Sequence, residues 1–471
     1  MTREGTDRFQ SADSGFGIWC LRFVCILYLV SLSCSVSRSL QAAPVEGSRK
    51  DASRHSRHPT AGSSQSSASR TELWKQRRLE KQKTATPEGP TVFGKSFLWL
   101  ERRGLAQIQK MNYGGVYLRM GNLAQRSALA LGVRTWQPRI GGSWLDIQGS
   151  AAYSNRGYQH YDLQLGRVAQ TYPEIAMDAS TPLSLSPQET VEASDRFTFY
   201  ADLSYRDHPQ EHFFGTGSES SISDLSAFGL QQVSYDAVGG FRPARLLSAE
   251  VRMGLVSLKP GSSSDRFTPG VEQLFDGDTA PGLSQQTDYF RLGADLRWDS
   301  RDRPGNPHAG GFVGLSFSRF DQREGQQFEF NRVAVDARHY LSLGSLQRVL
   351  ALRFFTSHDA SGAGSSVPFY LRRALGGANM LRGFQDQRFR DNGLIYLSGE
   401  YRWEAAPALE LAVFYDAGKV FDRRANFGFS GMEKSIGWGI RLKNHRRVLV
   451  KFDYAKSRED TRTHVTIGPS F

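Results

Sequence analysis

Cysteine is nearly absent: the 471-residue chain has three, Cys20, Cys25 and Cys34, and none beyond residue 34. All three lie in or beside one N-terminal apolar run. Loss of that run leaves no disulfide framework, no thiolate nucleophile and no Cys-held zinc. The run itself, Phe23 to Leu32, has about 10 residues, too few to cross a bilayer as a helix. Also missing are G-x-S-x-G, H-E-x-x-H and any glycine-rich phosphate loop. No blade-length repeat is present, which argues against a propeller. The sequence therefore offers no catalytic residues, no metal ligands and no cofactor site, and the expectation is a protein that is not an enzyme. His208, His212, His358 and His464 are scattered through loops and strand ends. His308 and His445 fall in turns and are expected to be solvated.

The N-terminal run has the layout of an export signal. Arg3, Arg8 and Arg22 precede it, and Ser39-Leu40-Gln41-Ala42 offers small-residue cleavage after position 42. A lipoprotein signal at Cys34 fits poorly, because Leu32 stands where a small residue is wanted. Residues 43–90 follow as a linker. The formal net charge is +12, and Ser48 to Lys83 holds ten Lys or Arg against three acids, a net of +7 within that total. Most of the basic excess thus belongs to a Ser-rich tether, so nucleic-acid binding is not implied. Such a composition buries too little apolar surface to fold alone. Within it, Thr71 to Lys83 is expected to form a short helix capped by Thr71.

From residue 91 to 471 the texture is uniform: segments of roughly 10 residues alternate apolar with polar or small, and Gly, Pro, Asn and Asp separate them. In Tyr289 to Asp299, Phe290, Leu292, Ala294, Leu296 and Trp298 share one face, and Arg291, Gly293, Asp295, Arg297 and Asp299 share the other. Arg196 to Arg206, Ala408 to Gly418, Ser435 to Lys443 and Val448 to Tyr454 repeat the pattern. Strands apolar outside, polar inside and rich in aromatics are the signature of a transmembrane β-barrel. Closure pairs the backbone amides that lipid cannot satisfy. A mean hydropathy of −0.45 fits a chain in which half of each strand faces a wet lumen. The expected fold is all-β, an antiparallel barrel of about 16 strands. Their starts fall near Tyr113, Ser127, Ser143, Tyr158, Arg196, Ser226, Ala244, Thr287, Gly311, Gln327, Gln347, Asn392, Ala408, Met432, Arg446 and Arg462. This register makes Ala169 to Ser194 a long periplasmic connection.

The chain stops on "THVTIGPSF", with Val465, Ile467 and Phe471 on the outward face. A terminal outward aromatic resembles the insertion signal of bacterial outer-membrane barrels. Pro469, lacking an N–H, removes one ladder bond near the seam between the first and last strands. Between the eleventh and twelfth candidate strands runs a long connection containing "LGGANMLRGF". Leu381-Arg382-Gly383-Phe384 resembles the V/I-R-G-F/Y motif of the BamA/TamA-type, or bacterial surface antigen, barrels, whose sixth external loop folds into the lumen. Further matches stand in the same order as in that family: "HFFGTGSESS", "WDSRDRPGNPHAGGF", "SGEYRW" with Glu400, and "FYDAG" with Phe414, Asp416 and Gly418.

The resemblance implies an outer-membrane barrel of a diderm bacterium, inserted by the barrel assembly machinery, in contact with outer-membrane lipid and monomeric. Insertion or passage of a protein or lipid through a lateral seam is the implied function. Passive or gated conduction through a lumen lined by Asp202, Arg291, Asp295 and Arg297 is the alternative, and an outer-membrane hydrolase a more distant one. The chain resembles a short family branch without the periplasmic POTRA modules. Alternation puts Glu400 and Asp416 on inward faces, where an Arg382 fork can engage one carboxylate and reach the other. Gly383 allows a tight turn or a close approach to the wall.

Overall fold

The computed structural model describes residues 115–467, except 125, 169–195, 284, 304, 345–346, 407, 424–425 and 444–447. All belong to the second of two compact units, Phe97–Phe471. The signal and tether expectations, the connection Ala169 to Ser194, His445, Pro469 and Phe471 lie outside the described residues.

Alternation of side chains at a period of two produces eighteen strands among the described residues. They are β1 (Val116–Gly121), β2 (Ala130–Gln137), β3 (Asp146–Ser154), β4 (Gln159–Arg167), β5 (Phe197–Phe213), β6 (Ser226–Ala244), β7 (Leu247–Ser262), β8 (Thr287–Asp299) and β9 (Gly310–Gln322). Then follow β10 (Phe330–Ser342), β11 (Arg348–Ser361), β12 (Arg373–Leu375), β13 (Phe389–Asp391), β14 (Gly393–Ala406), β15 (Leu409–Phe421), β16 (Glu433–Lys443), β17 (Val448–Lys456) and β18 (Thr461–Ile467). Sixteen of them form one antiparallel meander from β1 to β18, and β12 with β13 makes a small hairpin inside the long β11–β14 connection. Each of the sixteen expected starts lies within three residues of an observed one.

The sheet curls around that connection. Phe369 packs on Phe213 of β5 and Phe228 of β6 at ring-centre distances of 4.9 and 4.8 Å. The carbonyl of Arg382, in the same connection, accepts a 2.8 Å bond from His464 of β18. β5 and β18 are fifth and sixteenth in the strand order. In a flat sheet they would stand about 50 Å apart at ~4.8 Å per strand. One loop touches both because the sheet wraps it as a barrel, with the loop in the lumen.

The outward faces carry Tyr153, Phe197, Phe199, Tyr235, Val251, Met253, Leu292, Val413, Tyr415, Ile436 and Trp438, all exposed. In a monomeric soluble protein such a surface would be anomalous, but in lipid it is the expected one. Strands β5, β6 and β7 have 17, 19 and 16 residues. That exceeds both the ~10-residue expectation and the roughly 9–11 residues a tilted strand needs to cross a bilayer. The excess builds a cap at the end carrying the β5–β6, β7–β8 and β11–β14 connections. There Phe213, Phe228, Val256, Leu258, Tyr289, Phe320, Phe330, Val367, Phe369 and Tyr370 form a hydrophobic core. Pro209, which has no N–H to give, sits where the β5–β6 register shifts between His208 and Glu211.

At the opposite end the β8–β9 turn corrects one expectation. His308 is buried, not solvated. Asp302 accepts the His308 and Ala309 N–H groups at 2.9 and 3.2 Å, which folds the turn tightly. Its backbone then reaches β10 and β17: Ser342 donates to the His308 carbonyl at 2.8 Å, and Val448 N–H to the Gly305 carbonyl at 3.4 Å. The turn crosses beneath the lumen and covers His308 in doing so.

Candidate functional site: a charged lock in the lumen

Arg382 enters the lumen on a turn closed by a Phe384 N–H bond to the Leu381 carbonyl at 3.1 Å. Leu381 holds a left-handed φ of 57°, unusual for a branched side chain. Its side chain compensates by packing with Phe384, Phe389, Leu375, Leu394 and Tyr396 in a buried cluster. Gly383 lies flat against the wall. A Cβ there would stand 2.6 Å from the Ser435 Cβ and 3.0 Å from the Lys456 carbonyl carbon. Close approach, not positive φ, is what requires glycine at 383. Gly418 is similar, since a Cβ would meet the Ile395 carbonyl oxygen and the Leu375 side chain, both at 2.9 Å.

The guanidinium of Arg382 makes a two-pronged contact with Asp416, Nε to Oδ2 and Nη2 to Oδ1, each 2.9 Å. Its Nη1 reaches Glu400 Oε2 at 2.8 Å, and its backbone N–H adds a 3.1 Å bond to Asp416. The plane lies 3.3 Å from the ring centre of Phe414. Arg382 is 1% exposed, and Glu400 and Asp416 are 0%. Burial opposes the charge of Arg382, but Asp416 and Glu400 outweigh it and raise its pKa well above the ordinary arginine value.

The sequence reading missed most of the surrounding groups. Arg402 and Arg441 each bind Glu400 at 2.7 Å. Asp453 lies 3.5 Å from Arg382 and 3.3 Å from Lys451. Ser398 and Tyr396 donate to Asp416 at 2.7 and 3.1 Å. Four cations, Arg382, Arg402, Arg441 and Lys451, thus face four carboxylates, Glu400, Glu410, Asp416 and Asp453, and the cluster carries no net formal charge. Alternation did offer a signal, because Arg402 shares the inward face with Glu400 two residues away. His464 offered none, since only tertiary structure brings β18 to the loop.

The upstream "HFFGTGSESS" segment meets the same loop. Gly217 N–H donates to the Arg390 carbonyl at 2.9 Å, Arg372 to the Thr216 hydroxyl at 2.8 Å and Arg388 to the Ser220 hydroxyl at 2.9 Å. Nearby, Gln387 donates to Glu211, whose other oxygen takes a 2.8 Å bond from His208, itself 2.8 Å from His160. Burial and the Glu211 carboxylate push Asp386 up to about 7. Burial brings Arg390 down to about 10, partly offset by Glu211 and Asp386. The residues proposed to line a pore also point inward but are paired: Arg252 with Asp202 at 2.8 Å, Arg291 with Asp236, and Arg297 with Asp295 at 3.8 Å.

BamA from Haemophilus ducreyi lacking POTRA domains 1–3 has a similar structure, with a TM-score of 0.56 at 16% identity over 76% of this chain and 71% of that one. CdiB from Acinetobacter baumannii gives 0.45 at 12% identity, over 76% and 60% respectively. No curated protein matches. The Omp85 superfamily domain model matches residues 125–471, nearly the whole barrel. With its meander of sixteen strands and its loop in the lumen, the chain belongs to the Omp85 superfamily of outer-membrane β-barrels found in diderm bacteria.

Proposed function

We propose that this barrel assists the insertion or passage of a protein or lipid at the seam between β1 and β18, with the β11–β14 loop held in the lumen by Arg382. The observation that carries this reading is the obstructed lumen. Arg382 is buried between Glu400 and Asp416, an apolar core covers part of one mouth, and the β8–β9 turn runs beneath the other. A barrel filled in this way is poorly suited to steady conduction. A lateral route needs no open lumen. Outer-membrane lipid surrounds the barrel, the assembly machinery inserts it by way of Phe471, and the client is a protein or lipid that approaches the seam. Asp299, Arg301 and Asp302 shape the lower turn and do no chemistry in this reading.

A gated pore is the second reading, and the inward charges on β5–β8 favour it. With the loop withdrawn, Asp202, Arg291, Asp295 and Arg297 would line a polar conduit. Conductance in planar bilayers separates the two. The seam reading expects rare, brief openings of the native chain and crosslinking of clients to cysteines in β1 and β18. Large, steady currents without seam crosslinks would replace it with the pore.

A further inference from the structure

The terminal hairpin β17–β18 is held from inside the barrel as well as by its neighbour. β18 ends the strand order, and β17 is its ladder partner among the described residues. Three contacts from the loop reach this hairpin or the turn that closes it. His464 donates to the Arg382 carbonyl at 2.8 Å. Gly383 rests against Lys456 and Ser457, and a Cβ at 383 would lie 2.9 Å from the Ser457 Cβ. Arg388 forks onto Glu459 in the β17–β18 turn, Nε to Oε2 and Nη2 to Oε1, both at 2.9 Å.

Arg388 has a second attachment. Its Nη1 binds the Ser220 hydroxyl at 2.9 Å and its Nη2 the Ser220 carbonyl at 2.6 Å, in the β5–β6 connection. The guanidinium carbon lies 4.5 Å from the Phe389 ring centre and 5.1 Å from that of Phe214. The side chain is 2% exposed. One buried arginine therefore ties the loop to the last hairpin and to a connection far around the barrel. It uses none of the carboxylates of the Arg382 cluster.

We infer that Arg388 is a clasp distinct from the Arg382 lock, and that it joins the position of the loop to that of the terminal hairpin. While the clasp is closed, β18 is pinned at Glu459 above and at His464 below. Movement of β18 away from the barrel axis requires the loop to let go at both heights. This rests on the seam reading and adds a control to it: displacement of the loop, by client or lipid, becomes the event that frees the last strand. The fork geometry specifies arginine, because a lysine ammonium cannot grip Glu459 with two parallel bonds and Ser220 at once.

The test is hydrogen–deuterium exchange of the full chain in liposomes, with thiol labelling at position 435 (Ser435→Cys), a buried wall position that faces Gly383, reporting the Arg382 lock. Arg388→Gln and Glu459→Gln should each raise exchange in residues 457–464 about tenfold, as expected when one charge-assisted attachment of a local opening unit is removed. Labelling at 435 should stay slow in both. Exchanging the charges, Arg388→Glu with Glu459→Arg, should restore part of the protection. Unchanged exchange in β17–β18 overturns the clasp, and so does a rise of equal size in β8 and β9, which would signal general loss of folding. Failure of the underlying lock shows differently: position 435 would label rapidly in the otherwise native chain.

Discussion

Arg382 lies with its guanidinium carbon 3.3 Å from the centre of the Phe414 ring, while the edge of the same group faces Asp416, two residues along β15. One strand thus supplies both a π-face and a carboxylate to one cation. This accounts for the Phe-x-Asp spacing of "FYDAG", since a period of two puts both side chains into the lumen. Phe414→Leu keeps the apolar volume and removes the quadrupole. It should destabilise the docked loop by about 2 kcal/mol, the magnitude for a desolvated cation–π contact. Urea midpoints of the refolded barrel check this, and no change would mean that the ring acts only as filler.

Removal of Arg382 affects its two acids unequally. Glu400 keeps Arg402 and Arg441, each at 2.7 Å, whereas Asp416 keeps uncharged donors, the backbone N–H of position 382 and the hydroxyls of Ser398 and Tyr396. Arg382→Ala should therefore cost about 3 kcal/mol, near the low end for a buried pair broken from one side, with most of the loss arising at Asp416. Asp416→Asn added to Arg382→Ala should be cheaper than the sum of the single effects. Glu400→Gln should not show that relief to the same degree, because it also weakens the contacts of Arg402 and Arg441 with position 400. Strict additivity between positions 382 and 416 would contradict the contact.

Gly383→Ala needs no change of charge to open the lock. The new methyl would overlap backbone at Lys456 and the Cβ atoms of Ser435 and Ser457, none of which belongs to a flexible side-chain end. We expect the loop to lift, seen as faster thiol labelling at a neighbouring position. The sixteen-strand sheet should survive, seen as an unchanged β circular-dichroism spectrum. Labelling as slow as in the parent would show that the wall yields more readily than the spacing suggests.

Acidity should tighten the loop tip. The Asp386 carboxyl is pushed up to about 7 by burial and by Glu211, above the ~3.9 of a free aspartate. Below about pH 4 both the docked and the undocked forms are protonated, and the group is neutral to docking. As pH rises from 4 towards 7, the undocked form ionises first, so docking weakens, and above 7 the loss is complete. Asp386→Asn should thus stabilise the barrel at pH 8 and have little effect at pH 4, measured as urea midpoints of the two chains side by side. An equal effect at both values would assign the gain to something other than ionisation.

How far the sequence foretold these features depends on the scale of the interaction. Strand positions were legible because each is a local alternation, and Glu400 and Asp416 could be placed inward by counting in twos. The cap was not legible. The strand overrun at Phe213, Phe228 and Leu258 is continuous with the membrane-crossing pattern, so nothing local marks where lipid ends. Arg388 gave no sign of its partners, since Ser220 and Glu459 are 168 and 71 residues away. His308 was misread because a polar turn normally projects into water, and only the reach of its backbone to β10 and β17 turns it inward.

The apolar cap on the extended ends of β5 to β10 has an electrical consequence. Phe213, Phe228, Tyr289, Phe320, Phe330, Phe369 and Tyr370 make a region of low polarity above one side of a lumen whose walls are crowded with charge. An ion crossing this region would have to shed its hydration shell against apolar rings, since the guanidinium of Arg332, 5.3 Å from the Phe330 ring centre, is already bound by Asp359 at 2.6 Å, at a penalty of several kcal/mol. The cap therefore acts as insulation, and it also strengthens the attractions beneath it by keeping water and salt away from the charged core.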